Sequence, residues 1–286
     1  MKHSYRHLAL FFAAFIALYM THAQATMVVG KIDSLQLPAW LERGGLTVAA
    51  TAGIELFAGD KLRTGGGARM LLLLNEGSAV RLGENAIFMV TNAERKSGVF
   101  TVAINVIDGA FRFTTRALSR SQPRNVSIRV GNNATIGIRG TDVWGRGSAN
   151  KDIVCLIEGK IDVTGNNNVT LRLDQPLQFF QSTRSAPPEP VSLLDPKQLA
   201  IWAKETDMET GRGATTSGQW KITIGGLASR ETMQATRRAL REAGYPVEQQ
   251  ANNTLAILKM ANEADAQALA TKIMAAHGLS EVKVTR

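Results

Sequence analysis

The sequence predicts a mainly β N-terminal domain, solenoid-like or a sandwich, followed by a small α+β C-terminal domain. Three features support this prediction. Short apolar segments recur about every ten residues between positions 28 and 180, separated by Gly, Asn, Asp or Ser, as in a β-sandwich or a β-solenoid. Residues 181–218 have a linker composition rich in Ser, Pro, Thr and Gly. Residues 219–286 then show strand and helix periodicity in the order β-α-β-β-α-β.

Residues 1–25 have the features of a secretory signal peptide. Lys2 and Arg6 precede an uncharged run of 13 residues at positions 8–20, and Ala23 and Ala25 supply the small side chains that a signal peptidase recognises. A membrane anchor is the alternative, but a helix of that length spans only about 20 Å of a hydrocarbon core about 30 Å thick. We therefore expect cleavage after Ala25, a periplasmic location and no membrane span after processing.

The composition argues against nucleic acid as a partner and against metal or cofactor chemistry. The 286 residues include 33 Lys and Arg against 24 Asp and Glu, a net charge of +9, without a dense basic block. Cys155 lies in an apolar strand-like segment, where a thiol acts as a small buried hydrophobe. It is the single cysteine, and His277 is the one histidine outside residues 1–25, which is too few for a His/Cys zinc site. A carboxylate-pair hydrolase has no support from any motif, so we predict that the protein is not an enzyme.

Nine segments of the β-domain, defined here as residues 26–180, are predicted as strands. Leu71-Leu72-Leu73-Leu74 lacks the alternation of a half-buried strand, and we expect it to be buried on both faces. The nine segments are residues 68–74, 79–82, 87–90, 99–106, 110–114, 126–130, 153–157, 161–164 and 169–173.

Residues 134–145, with the sequence ATIGIRGTDVWG, form the most distinctive motif of the β-domain. Their alternation indicates a half-buried strand, in which Gly137 and Gly140 mark a bend or a close approach of two backbones. A tight turn after a strand would explain isolated glycines equally well. Five further dipeptides surround the motif in a fixed order, and these are Gly59-Asp60, Thr64-Gly65, Gly77-Ser78, Leu82-Gly83 and Glu158-Gly159.

This ordered series resembles the FecR-type envelope domain over residues 28–180. The resemblance implies a flattened, solenoid-like stack of short strands and an envelope protein or polymer as the partner of the β-domain. It makes Gly137, Arg139, Gly140 and Asp142 a structural motif, in which Arg139 would bind Asp142 or a main-chain carbonyl. We expect Val at Gly137 or Gly140 to destabilise the domain by about 1–3 kcal/mol if a strained backbone is lost.

Arginines accumulate in one part of the β-domain. No acidic residue occurs between Asp108 and Asp142. Scattered arginines usually mark a solvated face, and the alternative is a patch that faces an anion or a partner protein. The candidate patch consists of Arg112, Arg116, Arg120, Arg124 and Arg129.

The linker, residues 181–218, contains one predicted helix at about residues 195–207. Asp195 can cap it and Pro196 suits its first position, while Leu199, Trp202 and Ala203 share one face. We expect Trp202 to be buried against the β-domain. Residues 211–218 are rich in Gly, Thr and Ser, and predict a flexible break at which the two domains could move independently.

Residues 219–286, the C-terminal module, carry the pattern of a ferredoxin-like or RNP-like βαββαβ unit. The module resembles a SPOR domain, which binds peptidoglycan glycan strands that lack stem peptides. The residues that carry the resemblance are Trp220, Ile222, Ile224-Gly225, Leu240, Gly244-Tyr245 and Val247. Two departures concern the binding surface: Thr223 stands where the family usually has Gln, and Asn253-Thr254 falls where it has an aromatic-Arg pair.

The SPOR resemblance implies that glycan strands bind to the open face of the sheet. Alternation assigns five candidate residues to that face, although a sheet face that meets only water would show the same pattern. Our first hypothesis is a periplasmic protein that binds peptidoglycan, in a cell-division or general wall context, and presents its FecR-like domain. The alternative is a signalling role related to FecR-type sigma-factor regulators. The candidate face residues are Lys221, Thr223, Gln250, Thr254 and Lys283.

Overall fold

The computed structural model describes residues 27–115, 123–132, 134–138, 140–165, 168–184, 186, 189–208 and 212–286. Residues 1–25, the predicted signal peptide, lie outside these ranges. The strands are β1 (Gly30–Gln36), β2 (Ala39–Arg43), β3 (Leu46–Ala49), β4 (Glu55–Leu56), β5 (Lys61–Thr64), β6 (Arg69–Leu74), β7 (Ser78–Leu82), β8 (Ile87–Lys96), β9 (Val99–Thr115), β10 (Arg124–Val130), β11 (Ala134–Ile138), β12 (Asp142–Gly147), β13 (Lys151–Glu158), β14 (Ile161–Gly165), β15 (Thr170–Leu173), β16 (Gln178–Thr183), β17 (Ser192–Leu193), β18 (Ala214–Thr215), β19 (Trp220–Ile224), β20 (Glu248–Gln249), β21 (Leu255–Met260) and β22 (Val282–Thr285). The helices are α1 (Pro196–Thr206), α2 (Arg230–Glu242) and α3 (Glu263–His277).

The strands of the β-domain form two open sheets. Sheet A has the order β17-β16-β13-β12-β9-β7-β6-β1, and β4 and β18 pair with the other edge of β1. Sheet B has the order β3-β2-β5-β8-β9-β10-β11-β14-β15. These pairings are antiparallel except for β9 with β10, which is parallel. The predicted mainly β class is therefore confirmed, and solenoid-like stacking stays a prediction.

Strand β9 belongs to both sheets because it bends near its middle. Residues 99–106 pair with β8 and β10 in sheet B, and residues 109–115 pair with β7 and β12 in sheet A. Gly109 lies at the bend with φ of +86°, and a Cβ atom there would be 2.5 Å from the Ala86 Cα atom. The bend therefore requires glycine at this position.

The apolar faces of both sheets meet in one core. Its largest fully buried side chains include Phe88 from sheet B and Phe111, Phe113 and Phe180 from sheet A. The segment Leu71–Leu74 was predicted to be buried on both faces. Leu72 and Leu74 enter the main core, and Leu71 packs with Met208 and Ala79 on the other face. Leu71 is therefore buried on the face that a half-buried strand would expose, as predicted.

Helix α1 lies where the Asp195-Pro196 pair predicts a helix. The Asp195 side chain accepts a hydrogen bond from the Lys197 N–H, which caps the first turn. The indole ring of Trp202 stacks on the buried ring of Trp144 at a centroid distance of 4.6 Å, and the Phe179 ring meets it edge-on at 6.4 Å. Helix α1 is therefore docked on the outer face of sheet A through Trp202, which contacts the β-domain as predicted but is half-buried rather than buried.

The C-terminal module has the element order β19-α2-β20-β21-α3-β22, and its strands lie in the order β20-β21-β19-β22 with antiparallel pairing. Ser229 caps α2 and Asn262 caps α3 through their side-chain oxygens, while Gly278 ends α3 in the left-handed conformation. Among the described residues, no helix combines the length and the apolar character that a membrane span requires.

The predicted flexible break at residues 211–218 is wrong for its described part, residues 212–218. Ala214 and Thr215 are buried, and they form strand β18, which pairs with β1 on one side and with Met260 of β21 on the other. Sheet A thus continues from the β-domain into the C-terminal module. Composition alone suggested a linker, but small residues such as Ala214 also suit a strand that is covered on both sides.

Hydrogen bonds from both side chains and the main chain also join the two parts of the chain. The Trp40 Nε1–H donates to the Glu242 carbonyl at 2.9 Å, and the Ala39 N–H donates to the Gly244 carbonyl at 3.1 Å. The Lys272 ammonium donates to the Gly66 carbonyl at 2.7 Å, and burial lowers the pKa of Lys272 while Glu84 opposes that effect. These contacts fix the C-terminal module against the β-domain.

Candidate functional site

The strand register places three of the five candidate residues of the C-terminal module, Lys221, Thr223 and Lys283, on one face of its sheet. Thr223 of β19 lies opposite Lys283 of β22 and opposite Ala256 of β21, and Lys221 lies opposite Thr285. The side chains of directly opposed residues lie on the same face of an antiparallel pair. Lys221 and Lys283 are exposed, so this face offers two positively charged side chains beside threonine hydroxyls.

Gln250 and Thr254 extend this face at the turn between β20 and β21. The Gln250 N–H donates to the Thr254 carbonyl at 2.8 Å, and the Thr254 hydroxyl donates to the Ala251 carbonyl at 2.7 Å. Trp220 packs against the core on the opposite side of β19. The five-residue face can therefore donate and accept hydrogen bonds, but β19 offers it no aromatic ring on which a sugar could stack.

The two glycines of the sequence motif have different environments. Gly140 has φ of +73°, which L-residues rarely adopt, and a Cβ atom at neighbouring Gly159 would be 2.5 Å from the Gly140 carbonyl oxygen. Gly137 has no positive φ, is exposed on β11, and would have open space around a Cβ atom. The backbone therefore requires glycine at position 140, whereas neither the conformation nor the surroundings of Gly137 require glycine there.

Asp142 is held by an arginine that the sequence did not assign to it. The Arg112 guanidinium donates from Nε and Nη2 to the two Asp142 carboxylate oxygens at 2.9 and 2.7 Å, and the Thr114 hydroxyl lies at 3.3 Å. The hydrogen bonds to Asp142 raise the pKa of Arg112 despite its partial burial. Arg139, the predicted partner, lies outside the described residues. Strands β9 and β12 bring Arg112 and Asp142 together across 30 positions.

The candidate arginine patch is not a single surface among the residues that the structure describes. Arg112 forms an ion pair with Asp142, and Arg124 lies 3.7 Å from a carboxylate oxygen of buried Glu76. Arg129 is exposed on β10 in sheet B, whereas Arg112 belongs to sheet A. Arg116 and Arg120 lie outside the described ranges. Spacing in the sequence did not reveal that two strands of different sheets carry these side chains.

Potential catalytic or metal-binding groups are few in the described part of the chain. Cys155 is fully buried with a free thiol, and burial raises its pKa to about 12. The His277 ring meets the Tyr245 ring edge-on at 5.8 Å at the end of α3. Within the described ranges, no three His, Cys, Asp or Glu side chains are grouped to hold a metal ion.

A cleft of about 550 Å³ lies between β3 and helix α2, and sequence analysis missed it. We call it the junction cleft, because the β-domain supplies one wall and the C-terminal module supplies the other. The signal that could have indicated it is the apolar, uncharged segment Leu46-Thr47-Val48-Ala49 directly after Gly44-Gly45. The residues that line the junction cleft include Trp40, Val48, Arg63, Arg238, Arg241 and Glu248.

Comparison with known proteins gives one family assignment. A search of curated proteins finds no match. Among solved structures, two crystal structures of a "putative anti-sigma factor" from Parabacteroides distasonis are similar, with 13% and 14% identity and a TM-score of 0.41 for each. They cover 79% and 76% of this chain and 98% and 91% of their own chains. The family described as FecR protein matches residues 60–162, a range that begins at Asp60 of the Gly-Asp dipeptide and contains the Thr-Gly, Gly-Ser and Leu-Gly dipeptides and the Gly140 motif. The chain therefore contains a FecR domain.

Proposed function

We propose that this protein is a regulatory component of the cell envelope that acts by binding another envelope protein. The observation that carries the proposal is the FecR domain at residues 60–162. The sequence alternative of a signalling role agrees with this domain better than our first hypothesis of a peptidoglycan anchor does. A buried thiol with a raised pKa and a histidine packed on Tyr245 also favour binding over catalysis.

The connection between the FecR domain and the C-terminal module supports a regulatory role. Strand β18 extends sheet A into the module, and Trp40 bonds the Glu242 carbonyl across the junction. A partner that binds at the junction therefore contacts both parts at once, and the continuous sheet couples its binding to both of them. This geometry suits a protein in which the binding of a partner to one part affects the other part.

The proposal is tested by transcript profiling of cells that lack the gene. We expect a small set of transcripts to change and to be restored by the full chain. A chain without residues 1–25 is the matched control, and we expect it not to restore them, because it would stay inside the cell. An unchanged profile under envelope stress and nutrient limitation would reject the regulatory role.

Glycan binding by the C-terminal module is a second candidate function. Its support is the register that places Lys221, Thr223 and Lys283 side by side on one face. Each hydrogen bond to a sugar contributes about 0.5–1.5 kcal/mol, so an affinity between micromolar and millimolar is expected.

The test is retention of the full chain on peptidoglycan stripped of stem peptides. We expect Lys221→Ala/Thr223→Ala to lose retention, with Arg238→Ala on the opposite side of the module as the matched control. No retention of the wild type would reject glycan binding. Equal retention of all three proteins would show that glycan does not bind through Lys221 and Thr223.

A further inference from the structure

We propose that the junction cleft binds an extended acidic segment of a partner protein, which adds as a strand to the free edge of β3. This inference rests on the proposed function, because it names the site and the kind of partner through which the regulatory protein would act. Three features carry it: an unpaired strand edge, exposed apolar side chains on that edge, and arginines without carboxylate partners on the facing helix.

Strand β3 is the edge of sheet B and pairs with β2 alone among the described strands. The Ala50 N–H donates to the Ala39 carbonyl, so positions 50, 48 and 46 are the hydrogen-bonded positions of this antiparallel ladder. The N–H and C=O groups of Thr47 and Ala49 therefore point away from β2. Within the described part of the chain these groups have no hydrogen-bond partner, and they form a template for an added strand.

The side chains of β3 do not protect this edge. Leu46 is 72% exposed and Val48 is 50% exposed, and the strand contains neither a charged residue nor proline. Free edges in monomeric proteins are usually blocked by lysine, proline or a bulge. An apolar edge without such a block is typical of a surface that pairs with another chain.

Helix α2 supplies the opposite wall of the cleft and sets the charge of the ligand. Arg238 is exposed, and Arg241 donates from Nε to the Val247 carbonyl at 3.1 Å. Neither has an ion-pair partner among the described residues, in contrast to Arg63, which pairs with Glu42 at 2.8 Å. The free positive charges therefore favour carboxylates at the helix side of the cleft.

The spacing of these arginines matches that of a strand. Residues three apart on a helix have Cβ atoms about 5–6 Å apart, and alternate residues of a strand lie about 6–7 Å apart on one face. Arg238 and Arg241 can thus each meet one of two acidic residues in an acidic-x-acidic segment, whose central residue faces Leu46 and Val48. Glu242 and Glu248 also line the cleft, and they disfavour a longer acidic run.

The test uses a displayed library of random 12-residue peptides selected on the full chain. We expect enrichment of peptides that alternate acidic with β-branched or aromatic residues. The best peptide is then measured by fluorescence anisotropy against variants. Thr47→Pro removes an outward N–H without touching the β2 ladder and should weaken binding at least about tenfold, whereas Thr47→Val keeps the N–H and should bind normally.

A charge variant tests the other wall. Arg238→Glu/Arg241→Glu should weaken binding at least about tenfold, whereas Arg230→Glu at the start of the same helix should not. Urea midpoints confirm that each variant is folded. The proposal is overturned if no peptide is enriched, if enriched peptides lack acidic residues, or if Thr47→Pro binds like Thr47→Val. It is also overturned if the purified chain forms dimers that Thr47→Pro dissociates, because a second copy would then occupy the edge.

Failure of this test and failure of the proposed function can be told apart. Changed transcripts in the deletion strain that are restored by the Thr47→Pro variant would leave the regulatory role intact and remove the cleft from it. An unchanged transcript profile together with peptide binding at β3 would leave the cleft as a binding site and reject the regulatory role.

Discussion

Asp142 is a carboxylate whose position in the fold depends on one arginine. Its side chain is 12% exposed, and Arg112 satisfies both of its oxygens. We expect Arg112→Met to lower the free energy of unfolding by about 2–4 kcal/mol, because it leaves a buried charge unpaired. Arg112→Met/Asp142→Asn should recover part of that loss. Equal urea midpoints for the single and double variants would contradict this account of the pair.

Substitutions at Gly140 and Gly137 test whether the motif needs glycine where the backbone has a positive φ and tolerates a side chain where φ is not positive. Gly140→Val should destabilise by about 1–3 kcal/mol because valine resists a positive φ. Gly137→Val should be neutral or stabilise by up to about 1 kcal/mol, since β11 is extended there and has room for a side chain. The comparison is made with urea midpoints of the two variants. Equal losses would show that Gly137 has a constraint beyond its own conformation.

Cys155 should be inert in the folded protein. With a pKa of about 12, only about one thiol in ten thousand is ionised at pH 8, and the sulfur is fully buried. A thiol-exchange reagent should therefore react at the rate of unfolding, with full labelling in guanidinium as the control. Rapid labelling of native protein would contradict this expectation.

Residue environments could be predicted from sequence where the neighbours in the chain determine them. Cys155 lies between aliphatic residues of one strand, and its burial followed from that local pattern. The partner of Asp142 could not be found in this way, because Arg112 reaches it through the pairing of β9 with β12. Motif spacing indicated Arg139 instead, since it ignores which strands become neighbours.

At the scale of elements, helix α1 is held to sheet A by the aromatic side chain of Trp202, by Leu199 and by the ion pair of Glu205 with Arg146. Trp202 is half-buried and stacks on Trp144, and such a pair adds about 0.5–1.5 kcal/mol to the burial of its area. We expect Trp202→Ala to lower the stability by about 2–3 kcal/mol and to increase amide exchange in α1. Ile201→Ala is the matched control, because Ile201 is 58% exposed on the same helix. Similar exchange in both variants would show that the stack does not hold α1.

Elements were predicted best where alternation is strong, and their bounds were predicted worst where a strand bends. Residues 99–106 and 110–114 were assigned to separate strands because Asp108-Gly109 has the composition of a turn. In the structure they form the single strand β9, which changes sheets at Gly109. A turn and a bend need the same residue, and only the pairing with β8 and β12 distinguishes them.

For the whole molecule, the sequence indicated two parts but not the way they join. Local composition made residues 211–218 resemble a linker, whereas burial of Ala214 and Thr215 depends on β1, about 180 positions earlier in the chain. The junction cleft was missed for the same reason. Its two walls, β3 and α2, are brought together by β18, which joins β1 to β21, and by the hydrogen bond of Trp40 to the Glu242 carbonyl.

The continuous sheet predicts that the β-domain and the C-terminal module unfold together. Gly244 has φ of +85°, and a Cβ atom there would be 2.7 Å from the Trp40 ring, whereas Gly278 has φ of +63° and open space. Alanine should cost about 1–2 kcal/mol of backbone strain at either position. Gly244→Ala should in addition displace Trp40 and break its hydrogen bond to the Glu242 carbonyl. We therefore expect one calorimetric transition for the wild type and for Gly278→Ala, and two separate transitions for Gly244→Ala. Two transitions in the wild type would show that the junction does not couple the parts, and one transition in Gly244→Ala would move the coupling from Trp40 to the β18 ladder.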